Sequence, residues 1–495
     1  MNSFSTGKKI KKIILVIIVG ISAISFAGDS LPCNDNDDIC QAKQAVHQYA
    51  SKVASHLEDQ KLKQLFTNAY FVSMYTTFHY DRIDGSSFII TGGWQCYGPP
   101  PDTHPDNQPD GRMSAMWIRD AAAQLHSYLS ILSDQSINAK YRDAVSRIIA
   151  GFIQSASIDL KLNPTAHAFD QNHAVMEKDY EAETPAYLLW ISYEYWDAMG
   201  KVDLPFIHSS DFKQAASQIV KLYQSTLNPK LNLVSTDYRP SDDKVVYPYN
   251  IPINMFVAHS LRDLAKMPID HDLAQQANEL AQTIDKGVAA SVRVNSKIGK
   301  EIFPFEIGEE PNQVYFADDA NVPGLLSIAY LNPEYSVGKY KDIYANTRSF
   351  VLSSDNPFYF KSAKYQGVGS PHIAIYTNNH LLHKNNVWPL GMISSGISGD
   401  SNNAINMIDQ LISSAAPVNQ LAYGCQNWND SRFPAENVLH ESFSVNSPSF
   451  YTRGWFAWPN AYFAEWIDAS LSKCLAKGGK CDNVGEIIQA NNGVF

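Results

Sequence analysis

The feature that most limits how this chain can fold is a helical spacing of apolar residues that keeps returning along its length. Val46, Tyr49, Ala50, Val53 and Leu57 stand at i, i+3, i+4, i+7 and i+11, one face of an α-helix. The spacing recurs in Val145, Ile148, Ile149 and Phe152, in Phe212, Ala215, Ala216, Ile219, Tyr223 and Leu227, and in Leu273, Ala277, Leu280, Ala281 and Ile284. Ile405, Ile408, Leu411 and Ile412 carry it again, and Tyr462, Phe463, Trp466 and Ile467 open a last such face. Strand-like alternation is confined to residues 87–91 and 244–247, with 373–376 ambiguous. Helices joined by loops rich in Pro, Asn, Asp and Gly predict an all-α array. The polar motifs fall in those loops, where function tends to be carried. There is no Gly-Lys-Ser/Thr phosphate loop, no Gly-x-Gly-x-x-Gly and no Gly-x-Ser-x-Gly elbow.

Length and charge narrow the partners. A chain of 495 residues fills two to four domains or one large helical barrel. Its 39 basic and 50 acidic side chains give a net charge of −11. That argues against nucleic acid or an anionic membrane as partner, since both recruit a clustered basic face. Residues 1–27 read as a secretory signal peptide. Lys8, Lys9, Lys11 and Lys12 form its positive start, a short apolar run follows, and Ser25-Phe-Ala27 supplies small residues before Gly28. The alternative, a transmembrane anchor, needs roughly 20 apolar residues. No later segment is long and apolar enough to span a bilayer, so the mature chain is expected in the periplasm or outside the cell. The six cysteines, Cys33, Cys40, Cys96, Cys425, Cys474 and Cys481, are an even set, as disulfides in an exported chain require. Cys33–Cys40 and Cys474–Cys481 make plausible short clips, which leaves Cys96–Cys425; spacing does not fix the connectivity. With no Cys-x-x-Cys pair and no His at ligand spacing, no metal or cofactor is expected.

Chemistry concentrates in residues 238–256, reading Tyr-Arg-Pro-Ser-Asp-Asp-Lys-Val-Val-Tyr-Pro-Tyr-Asn-Ile-Pro-Ile-Asn-Met-Phe. Adjacent Asp242 and Asp243 are costly to ionise together once desolvated, so one tends to keep a proton. An aromatic wall beside such a pair suits a sugar cleft. Helix N-capping is the plain alternative for Ser241, Asp242 and Asp243. In Met116-Trp-Ile-Arg-Asp-Ala-Ala-Ala-Gln124, Trp117 offers a stacking face, and Arg119 and Asp120 offer a hydrogen-bonding fork for hydroxyls. Adjacent on a helix, the latter two are expected to point to different sides, and satisfying helix ends or nearby loops is their other reading. His440-Glu-Ser-Phe443 lacks a second His four residues on, so it is no zinc-protease helix. Arg453-Gly-Trp-Phe-Ala-Trp458 brings two indoles near Glu441, to pack on a sugar ring or in a core. Pro99, Pro100, Pro101, Pro105 and Pro109 keep residues 93–111 from forming a regular helix. That stretch reads either as a surface excursion or as a flap at a cleft rim, pinned by Cys96.

Together these segments resemble glycoside hydrolase family 125, the exo-acting α-1,6-mannosidases. The matching blocks run in family order: Phe88-Ile-Ile-Thr-Gly92, Ala115-Met-Trp-Ile-Arg-Asp120, Arg239-Pro-Ser-Asp-Asp243 with Tyr247-Pro and Ile251-Pro-Ile-Asn-Met-Phe256, and Asp318-Asp-Ala-Asn-Val-Pro323. Then come Ser354-Asp-Asn-Pro-Phe-Tyr-Phe360, Gly367-Val-Gly-Ser-Pro-His372, Val387-Trp-Pro389, His440-Glu-Ser-Phe443 and Trp455-Phe-Ala-Trp458. The resemblance implies an (α/α)6 barrel with catalytic loops at one end, here one catalytic domain over residues 28–495. It implies metal-independent, inverting hydrolysis of non-reducing terminal α-1,6-linked mannose from a glycan. The general acid is then one of Asp242 and Asp243, with Asp242 favoured, and Glu441 is the general base. Inversion sets such carboxyls roughly 6.5–9.5 Å apart. Trp117, Arg119, Asp120, Asp243, Asp318, Asp319, Asn321, His372, His440 and Trp455 are the implied sugar-contact or supporting groups.

The sequence departs from the family pattern in places that bear on the pocket. The usual Thr-Gly-Asp appears as Thr91-Gly-Gly93, Tyr-Glu-x-Asp-Ser as Tyr180-Glu-Ala-Glu-Thr184, and Arg-Asp-Ser as Arg119-Asp-Ala121. Two other readings follow. One is a catalytically silent glycan-binding relative, favoured by the missing acid after Thr91-Gly92 and opposed by the retained Asp242, Asp243 and Glu441. The other is an (α/α)6 enzyme with a different linkage or sugar preference, or a polysaccharide lyase. The acidic balance disfavours the lyase, which needs basic groups around a uronate.

Overall fold

The computed structural model describes residues 33, 37–79, 86–92, 115–371, 376–377, 380–381, 385–416, 437–478, 480–481 and 483–489. The expected signal peptide, residues 93–111, Cys96, Cys425 and His372 lie outside them, as does most of the ambiguous stretch 373–376.

The described residues form sixteen α-helices. The first eight are α1 (Asp38–Ser55), α2 (Gln60–Thr76), α3 (Ile118–His126), α4 (Leu129–Ser133), α5 (Ala139–Leu162), α6 (Glu183–Ala198), α7 (Pro205–His208) and α8 (Ser210–Thr226). The second eight are α9 (Ile251–Lys266), α10 (His271–Ser291), α11 (Ile328–Leu331), α12 (Lys341–Val351), α13 (Pro389–Ser398), α14 (Ser401–Ser414), α15 (Ala457–Ala476) and α16 (Val484–Gln489). Each apolar face read from the sequence lies on one of these helices or runs just past its end.

Six of the helices close a ring. α3 packs on α6, α6 on α9, α9 on α11, α11 on α13, α13 on α15, and α15 back on α3. Others back this ring: α10 lies on α9, α14 on α13, α2 on α15, and α5 joins α8 and α1 outside α6. The backing helices bury one stripe. α8 buries Phe212, Ala215, Ala216, Ile219, Val220 and Tyr223 and leaves its other face polar, as a helix with one wet side must. The ring helices are buried nearly all round: in α13 every residue from Pro389 to Ile397 is buried.

The connections differ between the two ends of the ring. At one end α9 returns to α10 through residues 267–270, and α13 to α14 through 399–400. At the other, long segments lead into each ring helix: 77–117, 163–182, 227–250, 292–327, 352–388 and 415–456. These carry most of the short antiparallel strands, in sheets of two or three among the described residues. The strand expected at 244–247 does not form. The N–H groups of Val246 and Tyr247 donate instead to the Glu306 carboxylate, at 2.7 and 3.1 Å, so a side chain replaces the partner strand.

Cys33–Cys40 and Cys474–Cys481 are disulfide-bonded, closing the short clips expected at the two ends. Among the described residues no helix is long and apolar enough to cross a membrane.

Candidate active site

All six long connections meet around a cavity of about 300 Å³. Thr91 and Trp117 come from the segment before α3, Glu177 and Asp179 from that before α6, and Pro240, Ser241 and Asp242 from that before α9. Asn321 precedes α11, Trp388 precedes α13, and Glu441, Arg453 and Phe456 precede α15. Arg119, Asp120 and Trp458 reach it from the first turns of α3 and α15. The cavity therefore sits where the ring helices begin. α3, α6, α13 and α15 start at Trp117, Ala182, Trp388 and Phe456 without a side-chain cap; the first N–H groups of α3 and α15 donate instead to the carbonyls of His167 and Thr91, at 3.2 and 2.9 Å.

The Asp242 loop is a turn held from outside. Pro240 follows Arg239, the Asp242 N–H donates to the Arg239 carbonyl at 2.9 Å, and the Arg239 N–H donates to the Asp243 carbonyl at 2.8 Å. Arg239 Nε bonds Glu306 at 2.5 Å and its guanidinium lies over the Phe305 and Tyr315 rings. Asp242 takes φ +60°, a left-handed conformation that Asp tolerates better than most residues. The turn sends the two acids apart. Asp242 opens on the cavity with its side chain one-third exposed. Asp243 turns away, accepting from Ser241 Oγ at 3.1 Å and Ser370 Oγ at 3.4 Å. Burial, with Asp319 adding to it, pushes the Asp243 carboxyl up to about 6. Neither acid caps a helix; Asn250 caps α9.

Glu441 is placed by a hairpin. The strands Ser442–Ser444 and Ser447–Thr452 pair with Ser442 opposite Thr452, which sets Glu441 opposite Arg453. The Glu441 N–H donates to the Arg453 carbonyl at 3.4 Å, and Arg453 donates to Glu441 Oε1 at 2.5 Å. Glu441 is thus a buried carboxylate with a fixed counter-charge.

Arg119 and Asp120 do not diverge as expected. Both line the cavity, Arg119 Nε lying 3.3 Å from Asp120 Oδ2. Arg119 also meets Glu181 at 2.7 Å, Glu183 at 3.4 Å and Asp242 at 3.2 Å, and packs over the Trp458 ring. Three of the four carboxyls around this guanidinium, Asp120, Glu181 and Glu183, are shifted toward their protonated form. Burial pushes Asp120 and Glu181 up, Glu181 strongly, and lifts Glu183 to about 7, while Arg119 pulls all three the other way. His167, Glu181 and Asp242 each bring one polar atom within 4.8 Å of the others, a spacing that a cation can bridge; the Arg119 guanidinium bonds both carboxylates here.

Of the remaining residues named from sequence, Trp117 and Asn321 line the cavity, and Trp117 Nε1 donates to Glu177 at 3.4 Å. Asp318 is a buried support, accepting from the N–H groups of Leu325 and Leu326. Asp319 receives Ser241 Oγ at 3.0 Å and so braces the Asp242 turn. His440 bonds the Gly454 carbonyl, stacks on Tyr451, and is pushed down to about 4 by burial. The Trp455 indole donates to Thr76 Oγ1 at 2.9 Å, behind a cavity wall whose indoles are Trp117, Trp388 and Trp458. Glu177 and Asp179 stand in no motif, and only the packing of their loop reveals them.

A buried, cation-paired carboxylate, Glu441, and two carboxyls of the Arg119 cluster, Asp120 and Asp242, face one cavity walled by Trp117, Trp388 and Trp458. That set, at the helix-start end of a ring of backed helices, defines a glycoside hydrolase of the helical glycosidase class. The family described as metal-independent alpha-mannosidase, glycoside hydrolase family 125, matches residues 109–232 and 223–468, and the chain belongs to it. It is 28% identical to the meiotically up-regulated gene 157 protein of Schizosaccharomyces pombe, over 86% of this chain and 85% of that one. Its fold is similar to that of a Streptococcus pneumoniae metal-independent alpha mannosidase solved in a non-productive complex with alpha-1,6-mannobiose (TM-score 0.67, 24% identity, 85% of this chain and 97% of that one). A cellobiose 2-epimerase from Bacillus thermoamylovorans is more distantly similar (TM-score 0.50, 10% identity, 86% and 99% covered).

Proposed function

We propose that this α-mannosidase is an exported, exo-acting enzyme that removes non-reducing terminal α-1,6-linked mannose from glycans with inversion. Its catalytic unit is a single (α/α)6-barrel domain over residues 28–495. The observation that carries the chemistry is that Asp242 and Glu441, from different connections, open on the same cavity with different charge partners. Asp242 donates its proton to the glycosidic oxygen. The bond from that oxygen to the anomeric carbon breaks, and its electron pair stays with the leaving oxygen. Glu441 takes a proton from a water that attacks the opposite face of the anomeric carbon, a course that calls for carboxyls roughly 6.5–9.5 Å apart. Arg453 pairs with the base, and Arg119 receives the charge left on Asp242. Trp117, Trp388 and Trp458 pack on the sugar, and Asp120 and Asn321 bond its hydroxyls. A cavity of this size suits one terminal sugar. The α-1,6 linkage is favoured by the mannobiose bound to the Streptococcus pneumoniae relative, and export by the two disulfides.

The test is mannose release from α-1,6-, α-1,2- and α-1,3-mannobiose with EDTA present, following the anomer first formed. Only the 1,6 isomer is expected to be cleaved, giving β-mannose first. Glu441→Gln is expected to lower the rate by about 10²–10⁴-fold. No release from any isomer by a folded protein that still binds mannosides would overturn the enzyme reading in favour of a glycan-binding role.

A further inference from the structure

Asp242 is too close to a guanidinium to keep a proton unaided. Arg119 stands 3.2 Å from it and favours its carboxylate, whereas an acid must arrive protonated. Something has to oppose Arg119, and the structure shows what. Glu181 is fully buried, its Oε2 bound by Arg119 at 2.7 Å and by Thr184 Oγ1 at 3.2 Å. Its Oε1 is buried without a hydrogen-bond donor, although a polar atom of Glu181 and one of Asp242 lie within 4.8 Å. A buried carboxyl with one oxygen lacking a donor, its side chain within hydrogen-bonding reach of a second carboxyl, is accounted for when the two share a proton.

Resting on the reading of Asp242 as the acid, we infer that Glu181 is a positioning residue that shares one proton with Asp242, holding the acid charged with that proton until the glycosidic oxygen takes it. Before reaction the pair carries one proton and one negative charge, set against Arg119. As the glycosidic bond breaks, the proton passes through Asp242 to the leaving oxygen, and both carboxylates stay ionised on the two terminal nitrogens of the guanidinium. The pair recovers its proton from solvent through Asp242, whose side chain is one-third exposed, while that of Glu181 is sealed. Every neighbouring element contributes to the balance. Asp120 from α3 and Glu183 from α6 add negative charge around Arg119. Burial disfavours the charged form of His167, but Glu177, bonded to it at 2.7 Å, and Asp242 favour it and raise the imidazole above its ordinary value. Burial and the neighbouring carboxylates Glu183 and Asp242 act together to raise Glu181, against Arg119.

The test is the pH profile of kcat/KM for α-1,6-mannobiose with Glu181→Gln and Glu181→Asp. The alkaline limb reports loss of the acid's proton. In Glu181→Gln it is expected to move to lower pH by about one unit or more, with the acidic limb unmoved. Glu181→Asp, which keeps the charge, is expected to hold the limb near its original pH even where the rate falls. A Glu181→Gln profile lowered equally at all pH, or unmoved, would overturn the inference.

A second readout needs no turnover. With glutamate carboxyls labelled with ¹³C, infrared titration of the full chain is expected to show a protonated glutamate band at neutral pH that Glu181→Gln removes. In Asp242→Asn that band should titrate at lower pH, and an unchanged titration would again overturn the inference. If the wild type cleaves no mannoside, the proposed function fails while this arm still decides whether the pair shares a proton.

Discussion

At the scale of single residues, Arg119 matters most. It is buried, and it is the shared counter-ion of Asp120, Glu181, Glu183 and Asp242. Removing it leaves buried carboxyls without a cation, which typically costs about 3–5 kcal/mol. Those carboxyls can take protons instead, so the loss is smaller in acid. Arg119→Met is expected to lower Tm strongly at pH 8 and much less at pH 5, measured by calorimetry. An equal deficit at both pH values would show that packing over Trp458, not charge, is what Arg119 supplies. At this scale the sequence was legible where a rare residue set marks a place, as at Asp242 and Glu441, both of which line the cavity. It was not legible where two residues of one type differ only in direction. Trp455 and Trp458 stand in the same short motif, but only the α15 start turns Trp458 onto Arg119 and leaves Trp455 bonded to Thr76.

At the scale of elements, the helices read from periodicity are mostly the backing ones, α1, α5, α8, α10 and α14, with α15 from the ring. α6, α9 and α13 gave no such signal. A helix wet on one side shows a 3.6-residue period, whereas one covered on all sides is apolar throughout and shows none. The ring's tightness has a testable consequence at Gly396 of α13. A Cβ there would lie 2.3 Å from the indole of Trp466 on α15, and that ring is itself buried. Gly396→Ala therefore forces two ring helices apart and is expected to cost about 1–3 kcal/mol, against the small gain Ala usually brings within a helix. Urea unfolding checks it, and a stabilised variant would mean that Trp466 can rotate aside. The strand misread at 244–247 belongs to this scale too. Alternation along the segment is real, but Glu306, more than fifty residues later, takes the N–H groups of Val246 and Tyr247, and the Asp237 carbonyl takes that of Val245.

Across the whole molecule, many buried groups bind protons more tightly folded than unfolded. Burial lowers the affinity of His126 and His259, but Glu465 and Glu194 around the first, and Asp263 and Glu334 around the second, override it, lifting them to about 10 and about 9. Burial pushes Asp468 up to about 6 and Glu183 to about 7. Each folded pKa lies above its unfolded value, near 4 for the carboxyls and about 6.5 for histidine. Their stabilisation is complete below those unfolded values. It is lost between about pH 4 and 7 for the carboxyls and between about 6.5 and 10 for the histidines. Tm is therefore expected to be highest in mildly acidic buffer and to fall toward pH 10. A Tm that climbs from pH 5 to 9 would contradict the balance of these groups.

By itself the sequence determined the helical class and marked the acids Asp242 and Glu441 as the places to look, because local periodicity and a rare order of motifs survive in one dimension; the pairing of the end cysteines came with the structure. Which acid of the adjacent pair faces the cavity, and that Arg119 gathers four carboxyls, depended on the tertiary structure. Those facts come from six separate connections converging at one end of a ring. No spacing along the chain records that convergence, because the contacts are made between segments far apart in sequence.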